Sequence, residues 1–284
     1  FGDVLRMKKN LFRVTPVTLG TLVCILIFLG AVTPGCITSQ ENTPSPAPSQ
    51  ASILVYSGAG LKSAMTDIGQ EFTRKYGIEV QYNYAGSGVH ISQMNLTRKG
   101  DVFITGSTVE YNNAKSQGLV GPYQLVAYHV PVIAVQKGNE KNITMLQDFA
   151  RPGLKIALGD VNATAIGKAG AKMFKKLNIT DAVEENVVTR TPTINELTIL
   201  MTAGQADASI LTLDLINDKT MEAIQIPITV NEVMIIPVGI TTFSENQDNA
   251  RKFADFVTSY EGKAIFVSHG FPKYPDPAYA DVKP

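Results

Sequence analysis

The stretch best suited to binding chemistry is Ala85-Gly86-Ser87-Gly88, which places one hydroxyl between two glycines. Before it, Tyr82 and Tyr84 alternate with polar residues as in a strand, and Ile91 and Met94 follow at helical spacing. The first amides of a helix lack internal partners, and the helix dipole favours negative charge there. The pattern indicates an anion site with the Ser87 hydroxyl as an additional donor. A tight turn in which Ser87 caps the helix is the alternative.

Catalysis by a serine nucleophile is a second possible chemistry for the same stretch. Ser87 and His90 lie three residues apart, but the segment lacks the first glycine of the G-x-S-x-G nucleophile motif. The other two histidines, His129 and His269, are far apart in the chain and show no metal-ligand spacing. A serine hydrolase therefore remains only an alternative to an anion-binding protein.

Alternating strands and helices must position these residues. The apolar strand at 53–56 runs into the turn Ser57-Gly58-Ala59-Gly60, and the helix after it is expected to end at Gly77. Another strand is predicted within "DVFITGS" at 101–107. The order β-α-β-α-β predicts largely parallel α/β layers, with the glycine turns at the carboxyl ends of strands, where ligands bind.

The N-terminal segment is expected to direct export rather than to fold. Met7-Lys8-Lys9 leads into the apolar residues 17–32, which end in Thr33-Pro34-Gly35-Cys36. Residues 1–36 have the layout of a signal peptide, and the small residues before Cys36 resemble a lipobox, although Thr33 stands where leucine is usual. The segment predicts either a lipid anchor on Cys36 or an uncleaved N-terminal anchor. Residues 37–52, rich in Pro, Ser, Gln and Thr, predict an extended tether.

Charge and cysteine content exclude several functional classes. Of the 25 basic and 25 acidic residues, four and one respectively precede Cys36, so the remainder of the chain carries a net charge of −3. This charge does not suit a nucleic-acid partner. Both cysteines, Cys24 and Cys36, fall within residues 1–36, so the folded part has no thiol chemistry.

Five segments, taken in order, resemble the molybdate/tungstate-binding family, the type II solute-binding proteins of ABC importers. They are "ILVYSGAGLKSAMTDIGQEF", "GIEVQYNYAGSG", "GDVFITGS", "LKIALGDVNATAIGKAGAKMFKKL" and "SYEGKAIFVSHGF". The resemblance covers nearly all of residues 53–271. It implies a type II periplasmic-binding-protein fold with two α/β lobes joined by a two-strand hinge. The expected boundaries are 53–130 plus 236–284 for the first lobe and 131–235 for the second.

The resemblance also implies site residues in the first lobe. The family binds its oxyanion with two serine hydroxyls, with main-chain amides at helix starts and often with a tyrosine. Ser87 falls on the second serine, whereas Gly60 falls on the first and carries no hydroxyl. An amide at Gly60 or Leu61, or the hydroxyl of Ser57, is expected to substitute.

In the second lobe the resemblance implies main-chain donors. Ile166 and Ile194 fall on the two amide positions, and Thr193 is expected to cap the helix that begins beside it. Thr212 falls where the family often has tyrosine. Two of the five positions, Gly60 and Thr212, thus depart from the family in side chain.

The resulting functional prediction is a binding protein, not an enzyme, without a cofactor. We expect a monomer outside the cytoplasmic membrane that captures molybdate or tungstate between its lobes and delivers it to an ABC permease. Because Gly60 and Thr212 enlarge the expected pocket, a binding protein for phosphate, thiosulfate, a sulfonate or an organic acid is the main alternative.

Overall fold

The computed structural model describes residues 51–284. The predicted signal segment 1–36 and most of the predicted tether at 37–52 lie outside this part of the chain. The strands are β1 (Ser52–Gly58), β2 (Glu79–Ala85), β3 (Val102–Ile104), β4 (Val120–His129), β5 (Pro131–Gln136), β6 (Ile156–Gly159), β7 (Val187–Thr191), β8 (Ala208–Thr212), β9 (Met221–Gln225) and β10 (Met234–Thr241).

α-Helices separate the strands within β1–β4 and within β6–β8, as the sequence predicts, but no α-helix separates β4 from β5, β8 from β9 or β9 from β10. The helices are α1 (Lys62–Tyr76), α2 (Ser87–Thr97), α3 (Thr108–Ser116), α4 (Ala165–Lys176), α5 (Thr180–Glu184), α6 (Ile194–Thr202), α7 (Gln247–Thr258) and α8 (Tyr260–Ser268). Gly77 ends α1 in the left-handed conformation, with φ of 67°, which glycine adopts without steric cost. In the described part of the chain, no helix combines the length and apolar character needed to cross a membrane.

The strands form two separate five-stranded sheets, and each contains two parallel and two antiparallel strand pairs, so the prediction of largely parallel layers is wrong. The first has the order β2-β1-β3-β10-β4, in which β1 is parallel to β2 and β3, and β10 is antiparallel to β3 and β4. The second has the order β7-β6-β8-β5-β9, in which β6 is parallel to β7 and β8, and β5 is antiparallel to β8 and β9. We call the first sheet with α1–α3, α7 and α8 the first lobe, and the second sheet with α4–α6 the second lobe.

The chain passes between the lobes in two places. Strand β4 ends at His129 in the first lobe and β5 begins at Pro131 in the second, so Val130 alone links them. The return runs from the end of β9 at Gln225 to the start of β10 at Met234. The resemblance implies lobe boundaries at 130/131 and 235/236.

Each lobe has its own apolar core. Phe72, Phe253 and Phe266 are fully buried in the first lobe, in a cluster drawn from α1, α7, α8 and the first sheet. Phe149 and Met173 belong to a separate buried cluster built almost entirely from the second lobe. Because little of either core crosses between the lobes, a hinge motion can change their separation while both cores stay intact.

Candidate binding site

Four helix starts converge on one cavity between the two lobes. The cavity volume is about 40 Å³, which corresponds to about three water-sized spheres. Its wall is formed by residues 58–61, 85–87, 164–166 and 193–194, together with Gly106 and His129. The first two segments precede α1 and α2 in the first lobe, and the next two precede α4 and α6 in the second.

Ser87 provides a buried hydroxyl in the first-lobe wall. It is the first residue of α2, and Gly86 precedes it in the extended N-cap position. The Ser87 Oγ lies 2.6 Å from the Oγ1 of Thr105, which follows β3 and is fully buried. This hydrogen bond fixes the position of the Ser87 hydroxyl at the cavity.

Two threonines cap the second-lobe helices and set their first amides toward the cavity. Thr164 accepts from the Gly167 amide at 3.0 Å and donates to the Asp160 carbonyl at 2.8 Å. The amide of Lys168 bonds to the Thr164 carbonyl. The first two helical residues, Ala165 and Ile166, line the cavity, and such first-turn amides have no partner inside a helix.

Helix α6 begins in the same way. Thr193 accepts from the Glu196 amide at 3.2 Å and donates to the Glu196 side chain at 2.8 Å, so the predicted cap is present. Since its hydroxyl is already bonded on both sides, Thr193 acts on the cavity by placing the main chain of Ile194.

The glycines around Ser87 allow the second lobe to come into direct contact. A Cβ on Gly86 would lie 2.5 Å from the carbonyl oxygen of Ala163, and a Cβ on Gly88 would lie 2.5 Å from that of Asn162. The Gly88 amide donates to the Ala163 carbonyl at 3.4 Å. No larger residue fits at either position in this arrangement, which explains the two glycines.

Further bonds join the lobes on both sides of the cavity. The Asn195 side chain in α6 donates to the carbonyl of Ala59 at 2.8 Å. On the other side, the Lys168 ammonium lies 2.8 Å from the Glu110 carboxylate, which is almost fully buried. The structure therefore represents a closed arrangement of the lobes.

An apolar group occupies the space beside Gly60, where the family resemblance implied a serine hydroxyl. A Cβ on Gly60 would lie 2.7 Å from the Cγ2 methyl of Ile194 in the opposite lobe. A serine at position 60 thus cannot be accommodated in the closed arrangement without displacement of Ile194.

Comparison with known proteins identifies the family. Residues 53–272 match the bacterial extracellular solute-binding protein family. The chain belongs to this family. It is 27% identical over 224 residues to a putative binding protein of Haemophilus influenzae, covering 78% of this chain and 91% of that protein. It is 25% identical over 256 residues to the molybdate-binding protein ModA of Mycobacterium bovis, covering 89% of this chain and 96% of ModA.

The fold also agrees with this solute-binding family. The structure of the sulfate-binding protein SubI from Mycobacterium tuberculosis superimposes with a TM-score of 0.72 at 18% identity, covering 82% of this chain and 92% of SubI. The predicted type II fold with two α/β lobes is therefore confirmed. Because the chain belongs to the solute-binding family, it is a binding protein rather than an enzyme.

The geometry around Ser87 does not suit a hydrolase either. The bonded partner of its hydroxyl is Thr105, not His90. The His90 ring packs edge-on against Tyr56 and Phe103 in the interior of the first lobe. Burial lowers the pKa of His90 to about 4, so it is neutral at physiological pH. His90 is a core residue of the solute-binding fold.

Not all predicted site residues reach the cavity. Gly60, Ser87, Ile166, Thr193 and Ile194 line it together. Two others do not line it: Ser57 and Thr212, both fully buried.

Strand geometry accounts for these two positions. Ser57 shares a face of β1 with the core residue Val55, and its hydroxyl is 3.4 Å from the carbonyl of Gly58. Thr212 shares a face of β8 with the core residue Ile210.

His129 is the cavity residue that sequence reasoning missed. It is 5% exposed and ends β4, where the chain crosses between the lobes. Its Nε2 lies 3.5 Å from Oδ1 of Asp214, a buried carboxylate in the turn after β8. In the sequence, only its position just before the expected lobe boundary at 130/131 pointed to His129. Its neighbour Asp214 is distant in the chain.

The cavity wall has little fixed charge. Among the described residues that line it, there is no lysine, arginine, aspartate or glutamate. Over residues 51–284, there is no group of three or more histidine, aspartate or glutamate side chains arranged to hold a metal ion. The donors available to a ligand are therefore main-chain amides, the Ser87 hydroxyl and the His129 ring.

Proposed function

We propose that this protein captures a tetrahedral oxyanion, molybdate or tungstate, outside the cytoplasmic membrane and delivers it to an ABC permease. The observation that carries this proposal is the convergence of four helix starts, two from each lobe, on one small cavity. Each start offers the positive end of a helix dipole and first-turn amides without a partner inside the helix, although the Gly88 amide already donates to Ala163 of the other lobe. Together they suit a compact anion with acceptor oxygens on every side.

Donors fixed by the fold are well suited to a dianion. Each charge-assisted hydrogen bond contributes roughly 1.5–3 kcal/mol, and amides at helix starts need little reorganisation to form one. Because half the donors come from each lobe, full coordination requires the closed arrangement. Bonds such as the one from Asn195 to Ala59 then stabilise the closed, loaded protein.

The small cavity favours a four-oxygen anion over a larger solute. A volume of about 40 Å³ leaves little room for the carbon skeleton of an organic acid or a sulfonate. Molybdate is favoured because ModA of M. bovis, a molybdate-binding protein, aligns over 89% of this chain. Sulfate, the ligand named for SubI, is the competing tetrahedral dianion.

Location and partner follow from the same proposal. A member of an extracellular solute-binding family acts outside the cytoplasm, and the lipidation of Cys36 would hold it near a permease. The two lobes would present a closed surface to that permease only when the anion is bound.

Isothermal titration calorimetry of the purified protein tests the proposal. Molybdate, tungstate, sulfate, thiosulfate and phosphate are titrated separately at the same pH and ionic strength. We expect one anion per chain, with molybdate and tungstate bound more tightly than sulfate. Failure of all five anions to bind would contradict an oxyanion-binding function, and preferential binding of sulfate would move the specificity to the smaller dianion.

A further inference from the structure

His129 is the titratable side chain on the cavity wall, and its surroundings leave it poorly satisfied. Neither ring nitrogen has a hydrogen-bond partner among residues 51–284, although the side chain is almost fully buried. Buried polar groups are normally bonded, so an orphaned imidazole at a ligand cavity indicates that the ligand is its partner.

The two edges of the ring face different surroundings. Nε2 points to the Asp214 carboxylate at 3.5 Å. Nδ1 lies toward Gly106 on the cavity wall, 3.1 Å from the position that a Cβ would take there. A Cβ on Gly60, which also lines the cavity, would lie 3.8 Å from Cε1 and 3.9 Å from Nε2, and the ring of Phe271 packs against the imidazole. Asp214 is thus the charged group that faces the His129 ring.

This arrangement decides which nitrogen carries a proton. At 3.5 Å the two groups form no hydrogen bond, but the negative charge of an ionised Asp214 favours the ring proton on Nε2, and in a neutral ring Nδ1 then has a lone pair. A lone pair facing the cavity repels an oxyanion. If the pair takes up one further proton, Nδ1 becomes a donor in either of two ways. His129 becomes an imidazolium with a proton on both nitrogens, or Asp214 becomes a carboxylic acid that donates to Nε2, and the single ring proton is then on Nδ1.

We propose that the His129–Asp214 pair takes up one proton from solvent when the anion binds, and that Nδ1–H of His129 then donates to an anion oxygen. This inference rests on the proposed oxyanion function and deepens it by naming a proton as part of the bound state. In this equilibrium the unprotonated pair, one dianion and one proton from solvent combine to give the protonated pair with the dianion bound. No covalent bond to the anion forms.

Burial of Asp214 supports the uptake of a proton by the pair. Burial raises the pKa of the Asp214 carboxyl, and His129 beside it opposes that rise. A dianion brought to the other edge of the ring adds negative charge, which favours protonation of the pair further. Asp214 acts here through His129 and is a positioning residue.

The proposed proton uptake determines how the affinity for the anion changes with pH. Because the bound state holds one proton more than the free state, affinity rises as pH falls and decreases by up to about tenfold per pH unit as pH rises through the uptake range. The affinity for molybdate is measured at several values between about pH 5 and 8. A wall made only of amides and hydroxyls would give a flat profile there.

Calorimetry in two buffers of different ionisation enthalpy measures the proton directly. With molybdate and the unaltered protein, we expect uptake approaching one proton per anion in the lower part of that range. His129→Gln should abolish the uptake and weaken molybdate binding roughly 10- to 100-fold. His269→Gln is the matched control, since His269 is paired with Asp67 at 2.8 Å away from the cavity, and it should change neither quantity.

Asp214→Asn separates a proton effect from a merely structural one. The asparagine amide can donate to Nε2, which places the single ring proton on Nδ1 without uptake from solvent. Binding should persist, with proton uptake near zero and a flat pH profile.

The outcomes are distinguishable. Molybdate binding by the unaltered protein without net proton uptake, or His129→Gln binding as the unaltered protein does, would overturn this inference alone. Absence of anion binding altogether would overturn the proposed function and the inference with it. Two-buffer calorimetry of the unaltered protein gives the answer even if a variant fails to fold.

Discussion

At the scale of single residues, the site depends on groups that are buried before any ligand arrives. The Ser87 hydroxyl is held by Thr105 at 2.6 Å, and the glycines beside it leave no side chain between the lobes. A donor that is already positioned loses little entropy on binding, so each such residue should make a measurable contribution to affinity.

Ser87→Ala should weaken anion binding by about 1–3 kcal/mol, because it removes one donor to a buried anion. Titration calorimetry with molybdate measures the change. Ser92→Ala is the control, since Ser92 lies on the same helix but is exposed and donates to the carbonyl of Gly88. Equal affinities for Ser87→Ala and the unaltered protein would remove Ser87 from the site.

His90 should affect stability rather than binding. Burial lowers its pKa from 6.5 to about 4. Between these two pH values His90 is therefore protonated in the unfolded chain and neutral in the folded protein. Stability contributed by neutral His90 is therefore present above pH 6.5 and is lost as pH falls toward 4, at up to about 1.4 kcal/mol per pH unit.

His90→Leu should flatten this dependence between pH 6.5 and 4. Urea unfolding followed by circular dichroism at several pH values gives the free energy of unfolding for both proteins. His269→Gln, at a partly exposed histidine, serves as the comparison. Parallel pH profiles for His90→Leu and the unaltered protein would show that His90 is not the group responsible.

At the scale of elements, the helix start is the functional unit. Thr164 and Thr193 each accept from an amide three residues ahead, which satisfies one of the free first-turn donors and leaves the earlier ones for a ligand. The threonine cap that begins each helix therefore also places the first turn of that helix at the cavity. Under the proposed function, this is how a wall without lysine or arginine would bind an anion.

Ala165→Pro tests one of these amides without breaking the helix. Ala165 is the first residue of α4, where proline is tolerated, and Thr164 before it is already extended. Loss of its N–H should weaken molybdate binding by roughly 1.5–3 kcal/mol and leave the free energy of unfolding nearly unchanged. Calorimetry and urea unfolding give the two values.

Tyr260→Pro is the matched control for that substitution. Tyr260 is the first residue of α8, it is almost fully exposed, and Ser259 before it is likewise extended. It should leave binding unchanged. A similar loss of affinity in both proline variants would attribute the effect to the fold rather than to the Ala165 amide.

At the scale of the whole molecule, two lobes with separate cores meet around the cavity. The contacts between them include the main-chain bond from Gly88 to Ala163 and the Lys168–Glu110 ion pair. Such contacts favour closure without merging the cores, so opening and closing of the lobes is compatible with the fold.

Gly86→Ala should block closure, because the added Cβ would lie 2.5 Å from the carbonyl oxygen of Ala163. Small-angle X-ray scattering should show compaction on addition of molybdate for the unaltered protein and little or none for the variant. Gly121→Ala is the control, since its nearest atom would be 3.7 Å away within the first lobe. Normal compaction of Gly86→Ala would contradict the proposed closure.

Local features of the sequence correctly predicted the first strands and helices of this protein, β1–β3, α1 and α2. Alternating strands and helices, the end of α1 at Gly77 and the cap at Thr193 all depend on neighbouring residues, so a short window of sequence contains the physics that decides them. The family resemblance added the two lobes, and the sequence pointed to Ser87, which lines the cavity, because its glycine-flanked position before a helix is itself a local signal.

Only the tertiary structure decided which residues share the cavity. Ser57 and Thr212 carry suitable hydroxyls, but strand alternation and close packing turn them into the protein interior. His129 and Asp214 are 85 residues apart, and only the meeting of the β4 end with the turn after β8 places them together. Side-chain direction and long-range contacts depend on how the lobes pack and close, which no short window of sequence contains.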